Sequence, residues 1–308
     1  MITDFLIVAG QVLTLFLMMG VGFALERKGW FSRETTDHCT KLMLYVVSPC
    51  IIISQFQIEA SMEVIHSMLL SAVGMAVPYL FSIPLSHLLF RREEPDTAVV
   101  RRFGIIYGNN SFMGFPLLAG ILGKEAMLFG VIAALIFNTF EWTQGVALMG
   151  GKLSLKRMVL NPGILGLVAG LLLFGTGLRL PGPVNGAVSY LADLNTPLAM
   201  VIIGAQMSRS GVLNVLKKPM VYVTSALKLV VMPAITALVL LPLGMEPLSY
   251  CASVILAACP AAGVTAMFAQ MFRRDEETAS QMVTLSTLLS LVTLPVFALL
   301  ARTVSGLG

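Results

Sequence analysis

The chain has 308 residues, 57% of them hydrophobic and only 12% charged, with a mean hydropathy of +0.88. A soluble domain carries about 25% charged residues and cannot hide this much apolar surface, so a water-soluble globular protein is excluded and the surrounding medium is lipid. The net charge of +4 is no nucleic-acid signature, because the basic residues cluster in short turns.

The first apolar run, Phe5 to Leu25, follows Asp4 rather than a basic segment, is longer than a signal core and lacks a small-residue cleavage site. It reads as a membrane helix, not a cleavable signal. Stretches long enough to span then recur at 40–57, 65–90, 100–122, 126–149, 160–178, 187–207, 218–241, 247–271 and 278–302, of which 40–57 and 160–178 are near the minimum length. Sixteen of the 20 basic residues fall in the odd-numbered loops: Arg27, Lys28, Arg33, Lys41, Arg91, Arg92, Arg101, Arg102, Lys152, Lys156, Arg157, Arg209, Lys217, Lys218, Arg273 and Arg274. Lys124, Arg179 and Arg302 sit on the other side, and Lys228 lies inside a span. This bias places the odd loops in the cytoplasm and both termini outside, as an even span count requires. Cys39, Cys50, Cys251 and Cys259 show no CxxC spacing and read as small buried hydrophobes rather than metal ligands or a disulfide framework.

Ten spans divide into two sets of five, 1–152 and 153–308, and an odd number per half inverts the second relative to the first. Ser48-Pro49 is echoed by Thr196-Pro197, and Lys124-Glu125 by Arg274-Asp275. The expected fold is therefore all-α: ten transmembrane helices as two inverted five-helix repeats, the plan of secondary transporters. In the fourth span the midplane holds "YGNNSFMGFPLLAGILG", and in the ninth it holds "AACPAAGVTAMF". Both helices are expected to break there. Asn109, Asn110 and Ser111 can pair with freed backbone groups, and Pro116 and Pro260 each remove one N–H. Two half-helix N-termini aimed at one point make a donor-rich cradle for a carboxylate. The bland alternative is two kinked helices whose asparagines bond across the bundle.

Glu141 and Lys228 are the ionisable groups deep in spans, each costing about 2.5–3.5 kcal/mol to insert. Glu141 reads as a proton carrier and Lys228 as a substrate counter-charge, or the two form a buried structural pair or are satisfied separately. Asn138 lies three residues before Glu141, on the same helical face. Gln281, Thr284, Ser286, Thr287, Ser290 and Thr293 of the tenth span read as back-bonding or packing groups ahead of a cation site. The Arg273–Glu277 run reads as a solvated turn, and Asp193 as lying at the outer interface.

"GNNSFMGFPLL", "ACPAAGVTAMFAQMF" with the Arg-Arg-Asp-Glu-Glu that follows it, and "STLLSLVTLP" resemble the auxin efflux carrier family, along essentially the whole chain. This family includes bacterial permeases and the plant PIN carriers, with the bile acid:sodium symporters as more distant relations. The long cytoplasmic loop of the plant carriers is absent, which departs from an auxin carrier. The resemblance implies a scaffold of spans 1, 2, 6 and 7, a moving domain of spans 3–5 and 8–10, and an organic anion bound where spans 4 and 9 cross. It implies a homodimer joined through the scaffold in the bacterial inner membrane. Carried over by position, Asn109 and Asn110 match the crossover of span 4, Pro260 and its neighbours Gly263 and Thr265 that of span 9, and Asn138 and Glu141 fall where span 5 would face the pocket; with Ser111 and Pro116 these form the expected substrate site.

The expected activity is secondary transport of mono- or dicarboxylates such as malate or malonate. No cofactor is called for, with proton or sodium coupling left open, and the partners are the substrate and the bilayer, not nucleic acid. A channel would need a pore-lining charge ring. An intramembrane enzyme would need a motif such as HExxH or a Ser/His/Asp set, whereas His38, His66 and His87 lie at or near helix ends. A primary pump would need GxxxxGK[ST]. A membrane sensor or a channel with the same fold, or efflux of auxin-like aromatic acids, remains the alternative.

Overall fold

The computed structural model describes residues 2–59, 61–152, 162–209, 215 and 218–307. Most of the loop connecting the two expected halves, with Lys156 and Arg157, lies outside the described residues, as does Lys217. Among the described residues all regular structure is helical, and six helices are long and apolar enough to cross a membrane: Val8–Arg27, Met62–Leu89, Lys124–Leu148, Gly182–Arg209, Pro219–Leu243 and Glu276–Ser305.

In chain order, α1 is Ile2–Arg27. α2 (Arg33–Leu42) runs through a π-turn at Met43–Val47 into α3 (Ser48–Gln55). α4 is Met62–Leu89 and α5 is Pro95–Ile106. After a break, a π-turn (Asn110–Gly114) leads into α6 (Phe115–Ile121). α7 (Met127–Phe140) continues through a π-turn at Glu141–Gly145 into α8 (Val146–Leu148). α9 is Pro162–Thr176, α10 Gly182–Asp193 and α11 Asn195–Arg209. α12 (Pro219–Ala226) passes through a π-turn at Leu227–Val231 into α13 (Met232–Leu240). α14 (Pro247–Ala257), a second break and α15 (Val264–Met271) precede α16 (Glu276–Ser305).

Three of the four π-turns end two residues before a proline: Pro49, Pro116 and Pro233. A proline ring clashes with the carbonyl four residues back and offers no N–H. Widening the preceding turn lets the helix continue rather than stop. The second helix begins at Arg33 rather than near 40 because Ser32 caps it, accepting from the Thr35 N–H at 3.2 Å. Hydropathy is blind to that polar first stretch.

Two helix pairs pack especially closely. α1 crosses α11 at Gly22 and Gly204, where any side chain would strike the backbone of Val201 or Met19. α3 packs on α9, where a Cβ on Gly166 would lie 2.8 Å from Pro49 Cα and one on Gly170 would meet the Phe56 ring. α4, α5, α7 and α12–α16 gather around the two breaks.

Polar contacts join loops of like parity. Arg274 pairs with Asp96 and donates to the Met149 carbonyl, Arg101 pairs with Glu93, and Thr97 donates to Asp275 at 2.7 Å. At the other end Gln57 bonds Asn185 at 2.8 Å, and Ser67 bonds Glu246 at 2.7 Å. The Arg273–Glu277 run is thus a braced junction rather than a freely solvated turn. Asp193 is exposed at the end of α10.

Candidate functional site

Residues 107–109 join α5 to its continuation, and 258–263 join α14 to α15. The two connections lie against each other as an antiparallel bridge of Gly108 and Ala261. The Asn109 N–H donates to the Pro260 carbonyl at 2.8 Å, and the Ala262 N–H to the Tyr107 carbonyl at 3.0 Å. Ser286 Oγ of α16 takes the Ala261 N–H at 3.1 Å. The Asn110 N–H bonds back to the Gly108 carbonyl at 2.8 Å, with Asn109 at φ −76°, ψ 62°, the geometry of an inverse γ-turn. The break itself therefore holds few free donors, because the two interruptions satisfy one another. Proline at 260 serves only as an acceptor here.

Open donors lie one step further on. The N–H groups of Ser111 and Phe112, at the start of the 110–121 half-helix, and of Gly263 and Val264, at the start of α15, make no hydrogen bond among the described residues. All four residues are partly exposed. Gln206 of α11 stands opposite, its Oε1 3.6 Å from where a Cβ on Gly263 would be. The side-chain amides of Gln206 and Asn109 have no partner among the described residues. This face presents two positive helix ends and two free amides, an arrangement suited to an anion.

Behind the bridge lies a cavity of about 50 Å³, lined by Ser82, Gly108, Asn110, Lys228, Thr236 and Ser253 among others. Lys228 is 3% exposed, and its Nζ donates to the Ala257 carbonyl at 3.3 Å. A Cβ on Gly108 would lie 2.9 Å from that Nζ and 3.2 Å from Asn110 Oδ1, so a side chain there would displace the lysine head. Asn110 Oδ1 is buried without a partner. The two adjacent asparagines thus belong to different sides of the crossover.

Glu141 is 4% exposed and makes neither hydrogen bond nor ion pair among the described residues. Tyr79 and Tyr107 lie within its electrostatic range; Tyr79 stacks on Phe140 at 4.4 Å, and Tyr107 Oη donates to Gln144 at 2.7 Å. Glu141 and Lys228 do not meet, so the reading of a buried ion pair between them is set aside. Asn138 donates to the Ala134 carbonyl at 2.7 Å and lines a small gap with Ile52, Gly163 and Ile164. Its neighbours differ from those of Glu141, because its side of α7 faces α3 and α9. Ser111 lies in the π-turn, Pro116 is buried in the first turn of α6, and Pro260 is buried in the bridge. Thr265 is fully buried with an unpaired hydroxyl. Thr287 and Ser290 bond back to their own helix at 2.7 and 2.6 Å, and Ser286, which also bonds back to the Val283 carbonyl, in addition accepts from the crossover. Gln206 was detectable as an amide in the apolar run of α11; Ser286 carried no signal that set it apart from its neighbours.

A helical membrane protein whose two interrupted helices close on each other, with unpaired donors at one face, has the parts of a solute transporter. The profile of the family described as membrane transport protein matches residues 7–153 and 146–298. The chain belongs to this family, that of the auxin efflux carriers, and is a membrane transporter rather than an enzyme. It is 25% identical over 304 residues to an uncharacterized transporter of Methanothermobacter thermautotrophicus, covering 93% of this chain and 96% of that one. It is 26% identical over 305 residues to a Rhizobium meliloti protein named "Putative malonate transporter", covering 93% of each.

Proposed function

We propose that the protein is a secondary carrier of small organic anions, of the mono- or dicarboxylate size of malonate or malate, working by alternating access. The observation that carries this reading is the pair of half-helix N-termini with open N–H groups at Ser111, Phe112, Gly263 and Val264. A carboxylate accepting two or three such bonds satisfies donors that otherwise cost several kcal/mol in a lipid setting. The relative named for malonate supports the same substrate class. In this reading Asn109 and Gln206 complete the substrate's hydrogen bonds, while Asn110, Pro116, Pro260 and Thr265 shape the crossover behind it.

The architecture we assign is ten spans in two inverted repeats, with the breaks crossing at the bilayer midplane and both termini outside the plasma membrane. The two-part family match, dividing near residue 150, supports the repeats. The like-parity loop contacts support the grouping of the loops at two ends, and the basic residues of the odd loops support the sidedness. α1 with α11 and α3 with α9 form the scaffold, whose outer face joins a second copy. Glu141, buried without a partner, carries the coupling proton.

Proteoliposomes loaded with a panel of mono- and dicarboxylates test this. Saturable uptake of a small dicarboxylate, accelerated by internal substrate and driven by a proton gradient, is expected. Non-saturating flux without counter-substrate acceleration would point to a channel instead. Glu141→Gln is expected to abolish gradient-driven uptake while sparing exchange; an unchanged gradient dependence in the folded variant removes Glu141 from coupling.

A further inference from the structure

The cavity behind the crossover presents acceptors and a single cation. α5 and α14 both end at it, and a helix C-terminus carries about −0.5 charge, so the two together carry about −1. Ile105 and Ile106 line the cavity, and their carbonyls accept no hydrogen bond among the described residues. Asn110 Oδ1 is buried and unpaired. Thr236 and Ser253 each give their O–H to their own helix at 2.8 Å, so their oxygens have only lone pairs left to offer. Among the described residues no carboxylate lines the cavity; Tyr79 lines it, and the Cys259 thiol lies within electrostatic range of Lys228. At about 50 Å³ it holds a few waters or one small cation, well short of the roughly 300–1,000 Å³ of an organic-ligand pocket.

We propose that the Lys228 ammonium is a tethered substitute for a bound monovalent cation: it neutralises the two converging helix C-termini, so that the crossover forms without sodium or potassium, and its removal leaves a vacant monovalent-cation site. Such an ion would take the Ala257 carbonyl that the lysine now uses and the Asn110 Oδ1 that it leaves unpaired.

Melting of the purified full-length protein in sodium, potassium, methylammonium and choline chlorides tests the proposal. The wild type is expected to melt at one temperature in all four. Lys228→Ala is expected to melt several degrees lower in choline and to recover most of that loss, saturably, in at least one of the other salts. Lys228→Met refills the volume without the charge and is expected to melt lower in every salt. A wild type that needs sodium, a folded Lys228→Ala indifferent to all four salts, or a Lys228→Met as stable as the wild type would each overturn the proposal. Should Lys228→Ala not fold, the wild type and Lys228→Met decide by the same criteria. Only the companion uptake measurement, in which wild-type rates stay unchanged when choline replaces sodium, rests on the proposed transport function. Absence of uptake under every condition would refute that function while leaving the melting result to stand.

Discussion

Asn109 and Asn110 are neighbours in sequence, yet the γ-turn between them sends their amides to different surroundings. Asn110 Oδ1 faces the buried lysine, whereas the Asn109 amide is unpaired and outside that cavity. A hydrogen bond to a charged group contributes about 1.5–3 kcal/mol, and 1.4 kcal/mol is tenfold in affinity. Asn109→Ala is therefore expected to weaken substrate binding by roughly ten- to a hundredfold with little change in melting temperature. Asn110→Ala is expected to leave substrate affinity unchanged, because its side chain lies behind the crossover. Calorimetric binding and thermal unfolding on the same preparations separate the two effects. That the helix breaks at "GNNS" was legible in the sequence; which asparagine faces which side was not. Helical periodicity assigns directions only while the helix continues, and a single dihedral, ψ 62° at Asn109, resets them.

At the level of elements, the approach of α1 to α11 depends on the absence of side chains. A methyl on Gly204 collides with the Met19 carbonyl, which belongs to backbone and cannot rotate away. Gly204→Ala is expected to cost at least the 1–3 kcal/mol typical of overpacking and to lower the yield of monodisperse protein. Gly10→Ala, where nothing lies within 4 Å, is expected to be neutral; equal behaviour of the two variants would remove the crossing from the account. α16 offers a second case. Asp275 caps it by accepting from the Thr278 N–H at 2.9 Å and also accepts the Thr97 hydroxyl. Burial alone would raise its carboxyl, but these hydrogen bonds outweigh burial and hold it below the ordinary carboxylate range. A carboxyl depressed by folding stabilises fully above the unfolded value, about 3.9, and loses that contribution as pH falls through its folded value. Asp275→Ala is expected to cost about 0.5–2 kcal/mol at neutral pH, and the gap from wild type should narrow below about pH 4. A gap independent of pH would show that the carboxylate charge contributes nothing.

For the whole molecule, hydropathy and the helix-breaking residues were the legible part of the sequence. The long apolar helices stand where hydropathy put them, and the two breaks fall where glycine, asparagine and proline cluster. Hydropathy did not reveal the π-turns, although the prolines two residues downstream of three of them supply the signal. It also did not reveal that the interruptions bond to each other, because residues 109 and 260 are local to nothing in the chain. The sidedness is testable by single cysteines in a cysteine-free background. Positions in 57–64 and 242–247 are expected to react with an impermeant reagent in right-side-out vesicles, and positions 150–152 to be protected. Labelling at 150–152 would overturn the proposed topology.

The mutual closure of the breaks also bears on biosynthesis. The Asn109 N–H finds its acceptor on Pro260, which is made 151 residues later. At about 5–20 residues per second, translation leaves the first break without its partner for roughly 8–30 s. During that interval the nascent first half holds polar backbone that no lipid can satisfy, so it must be shielded by water, by the insertion machinery or by another chain. Residues 1–152 expressed alone are expected to be degraded, and co-expression with 153–308 is expected to rescue them. A stable, well-inserted first half on its own would show that its break does not depend on the second.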